Sequence, residues 1–90
     1  MSYSVEFRPE AVDGLRCLDK AIAQRILRRL KWFAQNFETV TPEALTAELK
    51  GLFKLRVGSY RVIYEIRRKE RLLIVHLVGH RKDIYKIKRI

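Results

Sequence analysis

The chain has 90 residues, 48% of them hydrophobic and 33% charged, which is enough apolar material for one core and excludes a disordered tail. Its formal net charge is +10 with a pI near 10.3. An excess of this size in a small domain points to nucleic acid, an acidic protein or an anionic membrane surface as partner. The single cysteine, Cys17, excludes an internal disulfide and a cysteine-built zinc site. No apolar run reaches the roughly 18 residues of a membrane span, and the N-terminus lacks the basic-then-apolar order of a signal peptide. The reading is one cytoplasmic domain over residues 1–90.

Residues 3–8 alternate, with Tyr3, Val5 and Phe7 on one side and Ser4, Glu6 and Arg8 on the other, and read as a first strand. Pro9 suits the first turn of a helix, where its missing N–H costs nothing, and Glu10 suits the positive end of the helix dipole. Val12, Leu15 and Leu18 form the stripe of this short helix, with Cys17 expected as a small core residue. Asp19 is placed to cap a second, longer helix running to about Phe37. Its apolar residues Ile22, Ile26, Leu27, Leu30, Phe33, Ala34 and Phe37 recur at helical spacing. The opposite side carries Lys20, Gln24, Arg28 and Lys31, and Trp32 lies at the edge of the stripe. Residues 36–49 read as a polar connection in which Thr41-Pro42-Glu43 suits the start of a helical turn.

From residue 53 the period changes from helix to strand. Phe53, Leu55 and Val57 fall on one face, Lys54 and Arg56 on the other. After Gly58-Ser59, which suits a two-residue hairpin with glycine supplying the positive φ of a type II′ turn, Val62, Tyr64 and Ile66 oppose Arg61, Ile63 and Glu65. Such a hairpin gathers Lys54, Arg56 and Arg61 on one non-core face, a site for polyanions. Residues 67–70 form a charged turn. Residues 72–78 are almost continuously apolar and read as an interior strand, with His76 expected as a hydrogen-bonded core histidine. A basic tail from His80 to Ile90 contains one aromatic, Tyr85. Order and lengths predict an α+β fold, β-α-α-β-β-β, with two helices packed on one face of a small antiparallel sheet and a short basic C-terminal segment. The other face is expected to be partly open and to carry the cations.

The segments Leu49-Lys50-Gly51, Phe53-Lys54-Leu55-Arg56, Gly58-Ser59-Tyr60-Arg61-Val62-Ile63-Tyr64 and Val78-Gly79-His80-Arg81-Lys82-Asp83-Ile84-Tyr85 together resemble the RelE/ParE toxin superfamily, in its RelE branch. With the order of elements included, the resemblance covers essentially the whole chain. RelE-type toxins are small basic proteins that enter the ribosomal A site and cut mRNA there; an antitoxin encoded alongside wraps around the toxin and holds it inactive. The resemblance therefore implies the toxin of a type II toxin–antitoxin system, a RelE-like mRNA interferase that inhibits translation as a ribosome-dependent, metal-independent endoribonuclease. The implied partners are a cognate antitoxin, the ribosome with its 16S rRNA, and mRNA. Operator DNA is expected only for the toxin–antitoxin complex, and neither a cofactor nor a membrane is expected. ParE toxins share the fold, poison DNA gyrase and lack the ribonuclease residues. A gyrase inhibitor, or an inactive antitoxin- or nucleic-acid-binding module, is the alternative reading.

The basic residues of the nuclease branch appear here as Lys54, Arg56, Arg61 and Arg81, and its C-terminal aromatic as Tyr85. Arg56 stands where some relatives have lysine, and His80 where some have another basic residue. Metal-free cleavage uses the neighbouring 2′-OH as nucleophile and leaves a 2′,3′-cyclic phosphate. It needs a base, cations for the phosphorane charge, and an acid for the 5′-oxygen. Arg61 and Arg81 are the expected phosphate clamps and Arg56 a third. Lys54, set among cations, is a candidate base or a further phosphate ligand. His80 is the candidate general acid, and Tyr85 either stacks on a base or takes part in proton transfer. Glu65 shares the parity of Arg61 and is expected to pair with it or orient it. Lys50, Lys82, Lys86 and Arg28 are expected to bind RNA around this set. The sequence offers no cluster of Asp, Glu and His for a two-metal site.

Overall fold

A computed structural model describes residues 2–45 and 51–84. In chain order its elements are β1 (Ser4–Phe7), α1 (Pro9–Arg16), α2 (Lys20–Gln35), a 3-10 turn (Phe37–Thr39), β2 (Glu43–Ala44), β3 (Leu52–Val57), β4 (Tyr60–Arg67), β5 (Leu72–His80) and α3 (Arg81–Ile84). The five strands form one sheet in the order β1-β5-β4-β3-β2. The class is the α+β arrangement expected. Two details differ: the sheet is mixed, because β1 runs parallel to β5, and β2 is an added edge strand. Glu43, expected with Thr41 and Pro42 to start a helical turn, instead opens β2, where Glu43 and Ala44 pair with Lys54 and Phe53 of β3.

Local chemistry accounts for the helices. Pro9 occupies the first turn of α1 with Glu10 beside it, where the chain loses no hydrogen bond and the dipole favours the carboxylate. Gly14 sets how closely α1 can approach, since a Cβ there would collide with the backbone carbonyl of Val78 in β5. Ala11 is buried, and Leu15 and Leu18 pack against the core. Cys17 ends α1 as an exposed residue rather than joining the core; its backbone N–H donates to the Asp13 carbonyl at 3.2 Å, and that of Leu18 to the Leu15 carbonyl at 3.2 Å. Asp19 does sit at the start of α2, though its side chain makes no capping bond. At the far end the Asn36 side-chain amide donates to the Trp32 carbonyl at 2.9 Å. Ile26, Leu30, Phe33 and Ala34 are the buried residues of α2. Leu27, read as part of the stripe, is 42% exposed.

The core lies between these helices and one face of the sheet, to which β3 gives Phe53, Leu55 and Val57 and β4 gives Tyr60, Val62 and Tyr64. Tyr64 is its aromatic centre, edge-on to Phe33 at 5.5 Å between ring centroids. Gly58 has φ +59°, so the β3–β4 hairpin turns at the predicted two residues and the parity of every following residue is fixed. Between β4 and β5 the register slips at Ile63/Tyr64: Ile63 pairs with Leu77 but Tyr64 with Val75. His76 is therefore the extra residue of a bulge. It lies on the far face with Ile74, and the bulge puts Leu77, paired with Ile63, on that face as well.

That far face is only partly open. Gly79 pairs with Arg61, and a Cβ at Gly79 would lie 3.5 Å from Ile84 Cδ1. Helix α3 thus folds back over the end of the sheet nearest the hairpin. Ile63 and Ile84 are buried there, outside the main core cluster.

Candidate functional site

The hairpin register places Arg56 directly opposite Arg61, and Lys54 opposite Ile63. Like charges directly opposed across a strand pair repel, and each arginine turns to a different acceptor. Arg56 Nη2 reaches Glu43 Oε2 at 3.0 Å. Lys54 Nζ lies 3.5 Å from the same oxygen, since β2 sets Glu43 opposite Lys54. Arg61 turns the other way: its Nη1 donates to the Gly58 and Tyr60 carbonyls, both at 2.9 Å. Only 8% of Arg61 is exposed, and its buried Nε has no hydrogen-bond partner among the described residues. This guanidinium braces the hairpin from inside, with its Nε shielded from solvent.

The start of α3 is tied to the same turn. Arg81 N–H donates to the Ser59 carbonyl at 2.9 Å, so the exposed Arg81 stands at the hairpin's rim. His80 pairs with Tyr60 and meets its ring edge-on at 5.4 Å, which sets the imidazole toward the helix side of the sheet. Its Nδ1 accepts the Lys82 N–H at 3.2 Å, a capping role for α3. The structure thus brings Lys54, Arg56, Arg61 and Arg81 to one end of the far face, with His80 on the other side of that end. Lys82 is exposed on α3, and Arg28 lies on the outer face of α2, away from the sheet. Lys50, Tyr85 and Lys86 lie outside the described residues.

Glu65 was expected beside Arg61. Instead its Oε1 is 3.0 Å from His76 Nε2 and its Oε2 accepts from Arg67 Nε at 2.8 Å. Hydrogen bonds from Arg67 and then His76 hold its carboxyl below the usual glutamate range. His76 stands two residues from Ile74, the strand partner of Glu65, so period two places its imidazole on the face of that carboxylate. Glu43 was missed. The sequence does not single it out, because Glu38 and Glu48 stand in the same stretch ahead of the basic strand.

Comparison with known proteins bears on what such a site belongs to. Residues 5–85 match the family model described as the ParE toxin of the type II toxin–antitoxin system parDE. The chain belongs to the RelE/ParE toxin superfamily. A putative RelE-like toxin protein of Escherichia coli is 32% identical over 94 residues, covering 97% of this chain and 94% of that one. Toxin RelG of Mycobacterium tuberculosis is 33% identical over 90 residues, covering 96% and 99%. Among solved structures, the RelBE2 toxin–antitoxin complex of M. tuberculosis contains a chain that superposes with TM-score 0.80 at 26% identity, covering 89% of this chain and 99% of that chain. A mutant of the E. coli toxin RelE in the free state superposes with TM-score 0.75 over 96% and 93% of the two chains. At 19% identity that second likeness speaks for the fold alone.

Proposed function

We propose that this superfamily member is a cytoplasmic toxin that cuts mRNA in the ribosomal A site and is neutralised by a cognate RelB-type antitoxin. The observation that carries the reading is the gathering of Lys54, Arg56 and Arg61 on one sheet face, with Arg61's buried Nε lacking a partner among the described residues. A buried donor without an acceptor is costly, about 1–3 kcal/mol, and a phosphate oxygen is an acceptor of the right kind. Relatives captured as toxin–antitoxin complexes support the partner.

In this mechanism RNA lies across the open part of the far face. Arg61 and Arg81 hold non-bridging phosphate oxygens of the scissile group, and Arg56 exchanges Glu43 for phosphate. The 2′-OH attacks the adjacent phosphorus, its proton passing to Lys54 or to another base, and the P–O5′ bond breaks as the 5′-oxygen takes up a proton. The cations favour the phosphorane more than the ground state because negative charge grows there. With His80 capping α3, and with no carboxylate–histidine pair aimed at Lys54 among the described residues, proton transfer relies on orientation supplied by the ribosome.

Primer extension on a translated mRNA, with and without ribosomes, tests this. Arg81→Ala is the variant of choice because Arg81 is exposed, whereas Arg61→Ala would also remove the brace of the hairpin. Ribosome-dependent cuts in the A-site codon that vanish in the variant support the reading; folded protein that makes no cuts in any condition refutes it. The ParE description of the matching family favours a second reading, inhibition of DNA gyrase. Under that reading DNA synthesis fails before translation when the protein is induced.

A further inference from the structure

Helix α2 carries five cations and no acid: Lys20, Arg25, Arg28, Arg29 and Lys31 stand within KAIAQRILRRLKWFAQ, and all five are exposed. A solvated helix face of ordinary kind mixes both signs. Among these cations is Trp32, the only tryptophan in the chain, with 47% of its surface open. Arg29 holds its guanidinium carbon 4.9 Å from the indole centroid, an arrangement that orders both groups.

Position matters as much as composition. Arg25, Arg29 and Trp32 follow one another at spacings of four and three and so share one side of the helix. That side leads to the cationic end of the sheet. Arg25 Nη2 would lie 3.2 Å from a Cβ at Gly58 in the hairpin turn. Arg29 lines a cavity of about 220 Å3 together with Phe33, Thr41, Glu43, Lys54 and Arg56. Beyond its two residues paired with β2, the outer edge of β3 is uncovered by any strand among the described residues. Positive charge therefore continues from Lys54 and Arg56 around the sheet edge and onto α2.

We propose that this side of α2 is a second RNA subsite, in which an unpaired base stacks on Trp32 while its flanking phosphates are held by Arg25 and Arg29. The chemistry favours a nucleic acid strand over an acidic peptide. Carboxylates need only the cations, whereas an exposed indole already ordered by a guanidinium offers the flat π surface that bases use. The strand's route to this subsite rests on the RNA reading of the sheet face; its binding does not depend on cleavage.

Trp32 emission isolates the test, because no other tryptophan contributes. The folded toxin is titrated with a fluorescently labelled single-stranded 2′-O-methyl RNA dodecamer, which lacks the nucleophile for cleavage, and separately with inorganic polyphosphate. The expected result is saturable quenching by the RNA and little by polyphosphate. Trp32→Ala should weaken RNA binding by about fivefold or more in an anisotropy assay. Arg25→Ala with Arg29→Ala should make the salt dependence shallower by roughly 1.4, two phosphates at about 0.7 each. Circular dichroism verifies that the variants fold, and the wild-type quenching stands without them. RNA that binds by anisotropy without moving the emission overturns the proposal. So does equal quenching by polyphosphate, or a response confined to an acidic peptide such as poly-glutamate. A toxin that quenches yet cuts no mRNA keeps the subsite and loses the nuclease reading; one that cuts but does not quench does the reverse.

Discussion

Glu43 pairs with two strand cations that RNA would need, Lys54 and Arg56, and Glu43→Gln removes its charge from both. One oxygen, Oε2, lies 3.0 Å from Arg56 Nη2 and 3.5 Å from Lys54 Nζ. Arg56 is 59% exposed, so its pair belongs to the weak class, while Lys54 at 18% exposure feels the carboxylate more strongly. Exposed pairs contribute about 0.2–1 kcal/mol each. Together they give about 1 kcal/mol that an incoming phosphate must displace, or roughly fivefold in affinity. Glutamine keeps the shape and removes the charge, so uncleavable RNA should bind about fivefold tighter.

The salt dependence supplies an independent reading. Two cations relieved of the Glu43 carboxylate should steepen the slope by up to about 1.4 for a single strand. Anisotropy titrations at two or more salt concentrations measure both quantities. Unchanged or weaker binding, with the slope unmoved, would refute the competition argument and leave Glu43 as a residue that orders the cations. A loss of single-turnover cleavage despite tighter binding would make the carboxylate part of the chemistry.

Three further perturbations follow from the packing and electrostatics. Gly14→Ala would ordinarily help a helix by up to about 1 kcal/mol, but here the new methyl meets the Val78 carbonyl. Overpacking of about 1–3 kcal/mol should win, lowering Tm by several degrees at about 4–8 °C per kcal/mol; an unchanged or higher Tm in a thermal melt would contradict the close approach of α1. Tyr64→Phe deletes a buried hydroxyl without a partner among the described residues, whose phenol burial pushes to a higher pKa. Stability should rise by about 1 kcal/mol, read from the urea midpoint. Glu65→Gln tests linkage. A carboxyl held low in the folded state adds stability above its unfolded pKa of about 4.3, and that stability disappears as pH falls through the lower folded value. The variant should be less stable than wild type at pH 7 and converge with it in acid; parallel curves from pH 7 to 3 would show that the Arg67 and His76 bonds do not favour the charged form.

Much of the fold was legible because each element meets a core on one side and water on the other. Period two located β3 and β4, and Gly58 fixed their register, so Lys54, Arg56 and Arg61 could be assigned to one face before any coordinates. Interior strand β5 was legible as an apolar run, but such a run has no phase. Nothing in Leu72–His80 marks the bulge that puts Leu77 beside His76 on the far face. The parallel pairing of β1 with β5 joins residues nearly seventy positions apart, for example Ser4 with Leu72, and local pattern does not reach that far. Strand β2 is too short to show a period. The four residues of α3 are likewise too few, and their start depends on a cap from His80 and a bond to Ser59.

The candidate site shows where parity stops being informative. It predicts which side chains share a face, yet Arg56 and Arg61 share one at the same register and must part. What parts them is the supply of acceptors: a carboxylate from β2 for Arg56, and two carbonyls of the hairpin for Arg61. Only the first is exchangeable. A phosphate can replace Glu43 without unfolding anything, whereas displacing the Gly58 and Tyr60 carbonyls would expose backbone groups inside the turn. Arg61 must therefore keep its Nη1 bonds and offer Nε, and Arg61→Lys should fail even though charge is conserved, because an ammonium cannot brace two carbonyls and present a separate donor in that planar geometry. The expected signature is loss of cleavage together with a lower Tm. Full cleavage by Arg61→Lys at wild-type stability would show that charge alone suffices at that position.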